Sequence, residues 1–211
     1  MAEKLNKGLF ITFDGPEGCG KSTHSVRMKD DLMKRGYDVL HTREPGGTLL
    51  GERIRDILLE KDEMPLGKEA ELFLFEADRA QHVEEVISPA LAKRKIVICD
   101  RFSAATFAYQ GYAAGADMKM IFDMDYMATK GVVPDLTILL DVDVETGLKR
   151  AGAQSSPDRM EKRPREFHEK VRQGYFEIAR ECPRGVKLIE TRENSDETFE
   201  LVKKEIDAFL P

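Results

Sequence analysis

The sequence predicts an α/β fold built around a five-stranded parallel sheet. Apolar, β-branched segments of strand length alternate along the chain with longer segments of helical length. Strands joined by helical crossovers run parallel, and the helices then cover both faces of the sheet. Since 211 residues fit one domain of this kind, we expect residues 1–211 to form a single domain.

The predicted strands are apolar segments at residues 9–14, 38–42, 95–99, 135–141 and 186–190. The predicted helices occupy residues 21–35, 68–93, 117–130, 144–151, 165–181 and 195–210. Gly36 suits the end of the first helix. In the last helix Phe199, Val202 and Ile206 recur on one face, and Asn194 is placed to cap its start. We therefore expect this helix to dock on the sheet.

One polar, irregular segment lies between two predicted helices, at residues 152–163. It is rich in Ser, Pro, Arg and Glu. Two interpretations stay open for such a segment: a short lid over a binding site, or an ordinary solvated connection.

Composition and charge exclude several classes of protein. The net charge of -6 has the wrong sign for a protein that binds nucleic acid through its overall field. The longest apolar runs have strand length, so we expect no membrane partner. Cys19, Cys99 and Cys182 are widely spaced, and the four histidines are scattered, which favours neither a disulfide framework nor a metal centre. The N-terminus lacks the apolar stretch of a signal peptide, and we expect a cytoplasmic protein.

The first strand runs directly into a phosphate-binding pattern. Residues 15–22 read GPEGCGKS and match G-x-x-x-x-G-K-[ST] at the start of a helix. In such a loop the backbone N–H groups and the helix N-terminus surround phosphate, the lysine reaches the β- and γ-phosphates, and the hydroxyl binds Mg²⁺. A glycine-rich turn with an incidental lysine is the alternative, which this context disfavours. The sequence thus predicts a three-layer P-loop NTPase fold, with nucleotide bound by Gly15, Pro16, Glu17, Gly18, Cys19, Gly20, Lys21, Ser22 and Thr23.

The third strand ends in a carboxylate and a guanidinium, Asp100 and Arg101. Parallel α/β sheets bind ligands at this edge, so Asp100 is placed to position Mg²⁺ and Arg101 to neutralise phosphates. The alternative is a structural ion pair. The chain has no N-K-x-D guanine motif, which disfavours a GTPase. This pair therefore favours a nucleotide kinase.

Two further segments have residues that suit the binding of a second nucleotide. Residues 43–48 read REPGGT and form a rigid turn after the second strand, which by itself favours a simple chain reversal. Phe75 and Arg79 are spaced i, i+4 on a predicted helix and share one face. They offer an aromatic surface beside a hydrogen-bond donor, although a core Phe with a surface Arg is the alternative reading.

Taken together, these segments resemble the thymidylate kinases, a family of P-loop nucleoside monophosphate kinases. The combination of REPGGT, Asp-Arg and Ala-Tyr-Gln-Gly is specific to that family. The matching segments are FDGPEGCGKST at 13–23, TREPGGT at 42–48, Phe75 with DR at 78–79, DRF at 100–102, AYQG at 108–111, PDLT at 134–137, LDV at 140–142 and GLKR at 147–150.

The resemblance implies ATP-dependent, Mg²⁺-dependent phosphorylation of dTMP to dTDP by direct in-line transfer, in a homodimer. Phe75 would stack on thymine, Arg79 and Thr106 would bind its edge, and Tyr109 would crowd the sugar 2′ position. The implied catalytic residues are Asp14, Lys21, Arg101 and Arg159. The implied metal ligands are Ser22, Asp14 and Asp100. The implied substrate-binding residues are Glu44, Pro45, Arg55, Phe75, Arg79, Arg101, Thr106, Tyr109 and Gln110.

The lid segment departs from the pattern that the resemblance implies. Members with Gly at position 18 supply a catalytic arginine from the lid, but Gly152 and Gln154 stand where arginines are expected. We predict that Arg159 takes this role ahead of Arg150. Two other functions stay open: a related kinase that acts on dUMP or a deoxynucleoside, and a non-catalytic P-loop switch.

Overall fold

Five parallel strands form one sheet. The structure is a computed structural model that describes residues 5–59, 65–153 and 158–210. The strands are β1 Leu9–Asp14, β2 Val39–Arg43, β3 Ile96–Asp100, β4 Leu136–Asp141 and β5 Val186–Glu190. Their order is β2-β3-β1-β4-β5, and all neighbours pair in parallel. The predicted fold class and strand number are confirmed.

The central strand, β1, carries the phosphate-binding motif to the middle of the sheet edge. All six residues of β1 are buried, and the strand pairs with β3 on one side and β4 on the other. Phe13 is in register with Asp100. The loop that follows β1 and the Asp100-Arg101 pair at the end of β3 are therefore neighbours in space.

Nine α-helices are found within the described ranges. They are α1 Lys21–Lys34, α2 Leu49–Leu59, α3 Lys68–His82, α4 Ser88–Ala92, α5 Ser103–Thr106, α6 Met118–Thr129, α7 Val144–Gly152, α8 Arg165–Glu181 and α9 Ser195–Asp207. Two π-helical segments, Val83–Ile87 and Phe107–Ala113, continue α3 and α5. No helix in the described ranges combines the length and the apolar character that a bilayer crossing demands.

Three features of the helices differ from the sequence prediction. Helix α2 was not predicted, because it begins directly after the segment interpreted as a turn; Thr48 Oγ1 accepts a hydrogen bond from the N–H of Gly51 at 2.9 Å and caps it. The helical stretch from α5 through Phe107–Ala113 was also missed, since it is buried on several sides and shows little periodicity. The single helix predicted at 68–93 contains a π-helical segment ahead of Pro89, whose ring crowds the carbonyl four residues earlier.

The apolar core lies on both faces of the sheet. On one face Ile11 and Phe13 pack with Met28 of α1 and Val202 and Ile206 of α9. The terminal helix therefore docks as predicted, and Asn194 caps it by accepting from the N–H of Asp196 at 2.9 Å. On the other face Phe10 packs with Val97, Ile87 and Phe102. The two covered faces leave the carboxyl edge of the strands for the site.

Candidate active site

The loop between β1 and α1 has the conformation that its glycines predict. Gly15, Gly18 and Gly20 adopt φ of 136°, 66° and 88°, a region that side chains disfavour. Lys21 opens α1 and is 7% exposed. Its Nζ donates to the carbonyl of Pro16 at 3.0 Å and lies 3.8 Å from Glu17 Oε2. The lysine charge is thus held inside the loop.

Helix α7 packs directly against this loop, backbone to backbone. A Cβ at Gly18 would lie 2.0 Å from the carbonyl oxygen of Gly147, and a Cβ at Gly147 would lie 2.3 Å from that of Glu17. Position 18 therefore has no space for a side chain. A catalytic arginine at this point of the loop is sterically excluded, so further positive charge must come from another element.

Ser22 and Asp100 form a pair at the loop. The hydroxyl of Ser22 donates to Asp100 Oδ2. The other oxygen, Oδ1, is buried and has no hydrogen-bond partner among the described residues. A carboxylate oxygen in this position suits a hard cation as a ligand.

Asp14 lies beneath the loop and is fully buried. Its Oδ1 accepts from the hydroxyl of Tyr175 at 3.1 Å, and its Oδ2 accepts from the N–H of Phe102 at 3.2 Å. Burial raises the pKa of Asp14 from its usual 3.8 to about 7, although the charges of Arg101 and Lys21 act to lower it. Both oxygens are therefore engaged by the protein itself.

Arg101 links β3 to the phosphate-binding loop. It adopts φ of 68°, and its Nη2 donates to Glu17 Oε1 at 2.8 Å. The hydroxyl of Tyr109 donates to the same oxygen at 2.7 Å, and the guanidinium lies 5.1 Å from the centre of the Tyr109 ring. Burial alone would raise the pKa of Glu17, but the charges of Arg101 and Lys21 lower it to about 2. Glu17 is therefore ionised at neutral pH and fixes both partners.

A second set of polar groups surrounds Arg79, which is 1% exposed. Its Nε donates to Glu44 Oε2 at 3.0 Å, and its Nη1 donates to Thr106 Oγ1 at 3.0 Å. The same Nη1 donates to Glu76 and Asp125 at 2.7 and 3.2 Å. These carboxylates, Glu44 first, raise the pKa of Arg79 against the effect of burial. The guanidinium is thus always charged and held in one orientation.

His82 is one of the four scattered histidines to which sequence analysis assigned no role, and the structure places it in this polar network. It is fully buried, with Nδ1 hydrogen-bonded to Glu44 Oε1 at 2.9 Å and Nε2 to Thr42 Oγ1 at 2.7 Å. His82 therefore braces the carboxylate that holds Arg79. The i, i+3 spacing of His82 from Arg79 on α3 is the sequence signal that could have found His82. Asp125, which also contacts Arg79, was missed as well, and no local sequence pattern marks it.

A cavity of about 1230 Å³ joins these two sets of residues. It extends from the phosphate-binding loop to Phe75 and, in another direction, to the turn after β5 at Thr191 and Arg192. The predicted site residues on its wall are Glu17, Gly18, Cys19, Gly20, Lys21, Ser22, Thr23, Glu44, Pro45, Arg55, Phe75, Arg79, Asp100, Arg101, Thr106, Tyr109 and Gln110. Asp14, Gly15, Pro16 and Arg159 are not among the wall residues.

The two lid cations occupy different places. Arg150 lies in the last turn of α7, lines the cavity and forms no hydrogen bond or ion pair with another described residue. Arg159 donates from Nε to the carbonyl of Leu58 at 3.1 Å and from Nη2 to Glu71 Oε2 at 3.0 Å. Arg159 is therefore paired with the buried carboxylate of Glu71, whereas Arg150 faces the cavity; which of the two neutralises the transferring phosphate stays a prediction. Gln154 lies outside the described residues.

The cavity connects the phosphate-binding loop with the polar groups around Arg79. A parallel α/β sheet with this loop, a carboxylate after β3 and converging arginines defines a P-loop phosphotransferase. A sequence profile described as Thymidylate kinase matches residues 13–204.

Individual relatives agree with the profile. The thymidylate kinase of Ectopseudomonas mendocina (strain ymp) is 45% identical, over 97% of this chain and 95% of the relative. That of Geotalea daltonii is 47% identical over 90% and 92%. A crystal structure of thymidylate kinase from Ehrlichia chaffeensis is similar with a TM-score of 0.79 and 34% identity, over 95% of this chain and 99% of the other. The chain belongs to the thymidylate kinase family, which confirms the resemblance inferred from the sequence motifs.

Proposed function

We propose that this protein transfers the γ-phosphoryl group of ATP to dTMP, forming dTDP and ADP. The observation that carries the proposal is the continuous cavity that joins the phosphate-binding loop to Phe75 and Arg79. Family membership supports ATP as the donor and a thymidine monophosphate as the acceptor.

Transfer is direct and in line, from one nucleotide to the other. The acceptor phosphate is already an anion, so the reaction needs positioning and charge stabilisation more than a general base. Lys21 holds the β- and γ-phosphates, and Arg101 with Arg55 binds the acceptor phosphate. Asp14 lies beneath the phosphate-binding loop, where its oxygens accept hydrogen bonds from the Tyr175 hydroxyl and the Phe102 N–H.

Mg²⁺ fits the pair formed by Ser22 and Asp100. The ion prefers oxygen ligands, and Asp100 Oδ1 is a buried oxygen without a partner among the described residues. Ser22 and Asp100 would hold the ion directly or through water, with Asp14 nearby. When bound, it neutralises charge on the donor phosphates.

The acceptor base lies at the far wall of the cavity. Phe75 stacks on thymine, while Arg79 and Thr106 bind its polar edge. Arg79 is fixed by Glu44, so little conformational freedom is lost when the base binds. The ring of Tyr109, anchored by its hydroxyl to Glu17, excludes a ribose 2′-hydroxyl. Glu44, Pro45 and Gln110 complete the wall.

ADP release tests the proposal. It is measured with dTMP, dUMP, dCMP and dGMP as acceptors, and the highest kcat/KM is expected with dTMP. A higher value with dUMP would identify the related kinase. Nucleotide binding without ADP release for any acceptor would identify a non-catalytic switch and contradict the proposal.

Phe75→Ala is expected to raise the KM for dTMP about 10- to 100-fold, because one base-stacking surface is lost. The KM for ATP should change little, since the donor lies at the loop. Phe75→Tyr keeps the ring and serves as the matched control. Steady-state kinetics with each substrate varied in turn measures both constants; equal effects on the two would place Phe75 in the core instead.

We further propose that the enzyme is a cytoplasmic homodimer that acts as one kinase domain, with residues 152–163 as its lid. Its three cysteines are free thiols, which suits a reducing compartment. Helix α6 presents Phe122 and Tyr126, which are 61% and 64% exposed and lie one turn apart. Phe73 of the neighbouring α3 is 53% exposed. Such apolar surface is typical of an interface between subunits.

Phe122→Glu is expected to convert the dimer into a monomer, because a charge would be buried in the interface. Sedimentation velocity measures the change. Leu201→Glu introduces the same charge on the exposed side of α9 and should leave the dimer intact. A wild-type protein that sediments as a monomer at micromolar concentration would contradict the proposed dimer.

A further inference from the structure

Glu71 of α3 is a buried carboxylate to which the mechanism above gives no role. It is 1% exposed and lies one helical turn before Phe75, on the same face. Its Oε1 accepts a hydrogen bond from Gln110 Nε2 at 2.9 Å. Its Oε2 accepts from Nη2 of Arg159 and Nη2 of Arg163, both at 3.0 Å. One carboxylate thus joins the acceptor wall to the far end of the lid.

The contact with Glu71 decides which atom of Gln110 faces the cavity. An ionised carboxylate only accepts hydrogen bonds, so Gln110 must turn its NH₂ group towards Glu71. Gln110 is 2% exposed and its remaining surface lines the cavity. The amide oxygen, an acceptor, is therefore the polar atom that Gln110 presents to a bound base.

Two arginines pair with Glu71 and balance its charge. A buried carboxylate without paired cations would be strongly destabilised or would take up a proton. Arg159 is fixed in addition by the carbonyl of Leu58, and the guanidinium of Arg163 lies 5.1 Å from the centre of the Phe167 ring. Both cations meet the same oxygen of Glu71, which leaves the other oxygen for Gln110.

We propose that Glu71 is a positioning residue that sets the choice of acceptor base without touching the substrate. The proposal rests on the proposed function. Thymine carries a hydrogen-bond donor at N3, whereas cytosine carries an acceptor there. An amide oxygen held towards the base pairs with the first and repels the second. Glu71 holds that oxygen in place, and the lid arginines hold Glu71.

Glu71→Gln tests this role with almost no change of shape. Arg159 and Arg163 will attract the oxygen of the new amide, so its NH₂ group will face Gln110. Gln110 must then turn its own oxygen towards residue 71 and its NH₂ group towards the cavity. The ratio of kcat/KM for dTMP to that for dCMP is expected to fall at least about tenfold, since a buried donor–acceptor mismatch replaces a hydrogen bond.

The matched control is Glu69→Gln on the same helix. Glu69 is 56% exposed and pairs with Lys68, so its replacement should leave the ratio unchanged. Glu71→Asp retains the charge that Arg159 and Arg163 require but withdraws the carboxylate from Gln110. It should give an intermediate ratio, and it provides the test if Glu71→Gln does not fold, as judged by its thermal unfolding.

The outcomes separate this inference from the proposed function. Turnover of dTMP by the wild-type protein tests the function alone. Wild-type turnover together with an unchanged dTMP to dCMP ratio in a folded Glu71 variant would overturn the role of Glu71. A general loss of kcat with both acceptors and the same ratio would also overturn it, because a merely structural residue behaves in that way.

Discussion

Lys21→Ala is expected to lower kcat for dTMP phosphorylation at least about 10³-fold, which is the scale seen when a charge that stabilises a transferring phosphoryl group is removed. The side chain is 7% exposed, and its Nζ lies 3.0 Å from the carbonyl of Pro16. It is therefore already held at the loop before any nucleotide binds. An alanine at this position removes the lysine charge that the loop itself directs at the donor phosphates.

The fold should survive this substitution. Glu17 keeps its contacts with Arg101 and Tyr109, so its carboxylate is not left unpaired. The affinity for dTMP should stay near that of the wild-type protein, because the base and sugar contacts lie elsewhere. Stopped-flow ADP release and calorimetric titration measure the two quantities.

Lys29→Ala provides the matched control. It removes the same charge from the same helix, but Lys29 pairs with Asp30 and lies outside the cavity wall. Its kcat should be that of the wild-type protein. Near-normal turnover in Lys21→Ala would remove Lys21 from the role assigned to it.

The features that the sequence predicts best are those that depend on neighbouring residues in the chain. The apolar run of β1, the glycines after it and Lys21 form one local unit, and each requires the others in that order. Asp100 and Arg101 were placed correctly at the edge of the sheet because parallel strands end together. In the structure, Phe13 of β1 is in register with Asp100 of β3, as this argument predicts.

The features that the sequence does not predict depend on partners that are distant along the chain. Arg159 and Glu71 are separated by 88 positions, and Gln110 and Glu71 by 39. No periodicity marks such pairs, because a buried carboxylate selects its cations only after the elements have packed. Arg79 illustrates the same limit. Its spacing to Phe75 predicted a shared face, but its contacts with Glu44 and Asp125 arise from other elements.

For the lid cation, the local sequence pattern and the long-range contacts of the fold favour different arginines. The sequence favoured Arg159, which stands in an Asp-Arg-x-Glu segment at the end of the lid. In the fold Arg159 is bound to Glu71 and to the carbonyl of Leu58. Arg150 lies three residues after Gly147, whose backbone contacts the phosphate-binding loop. Residues spaced i, i+3 share a helical face, so Arg150 lies on the side of α7 that packs on this loop, and it lines the cavity.

Arg150→Ala is therefore expected to lower kcat about 10³-fold, the effect of removing an arginine that stabilises the transferring phosphoryl group. The dissociation constants of ATP and dTMP should change little, because the contact forms fully only in the transition state. Single-turnover kinetics measures the chemical step, and equilibrium titration measures binding. Lys149→Ala, at the neighbouring exposed position of α7, removes the same charge and should have no effect.

Arg159→Ala completes the comparison. It should lower kcat far less than Arg150→Ala, because Arg159 pairs with Glu71 and Arg163 still pairs with that carboxylate when Arg159 is removed. Its main effect should be a lower dTMP to dCMP ratio, in the same direction as Glu71→Gln. A larger loss of kcat in Arg159→Ala than in Arg150→Ala would show that the ion pair with Glu71 opens on lid closure. Arg159 would then be the cation at the transferring phosphate, and the neutralising role of Arg150 would be limited to the carbonyls that end α7.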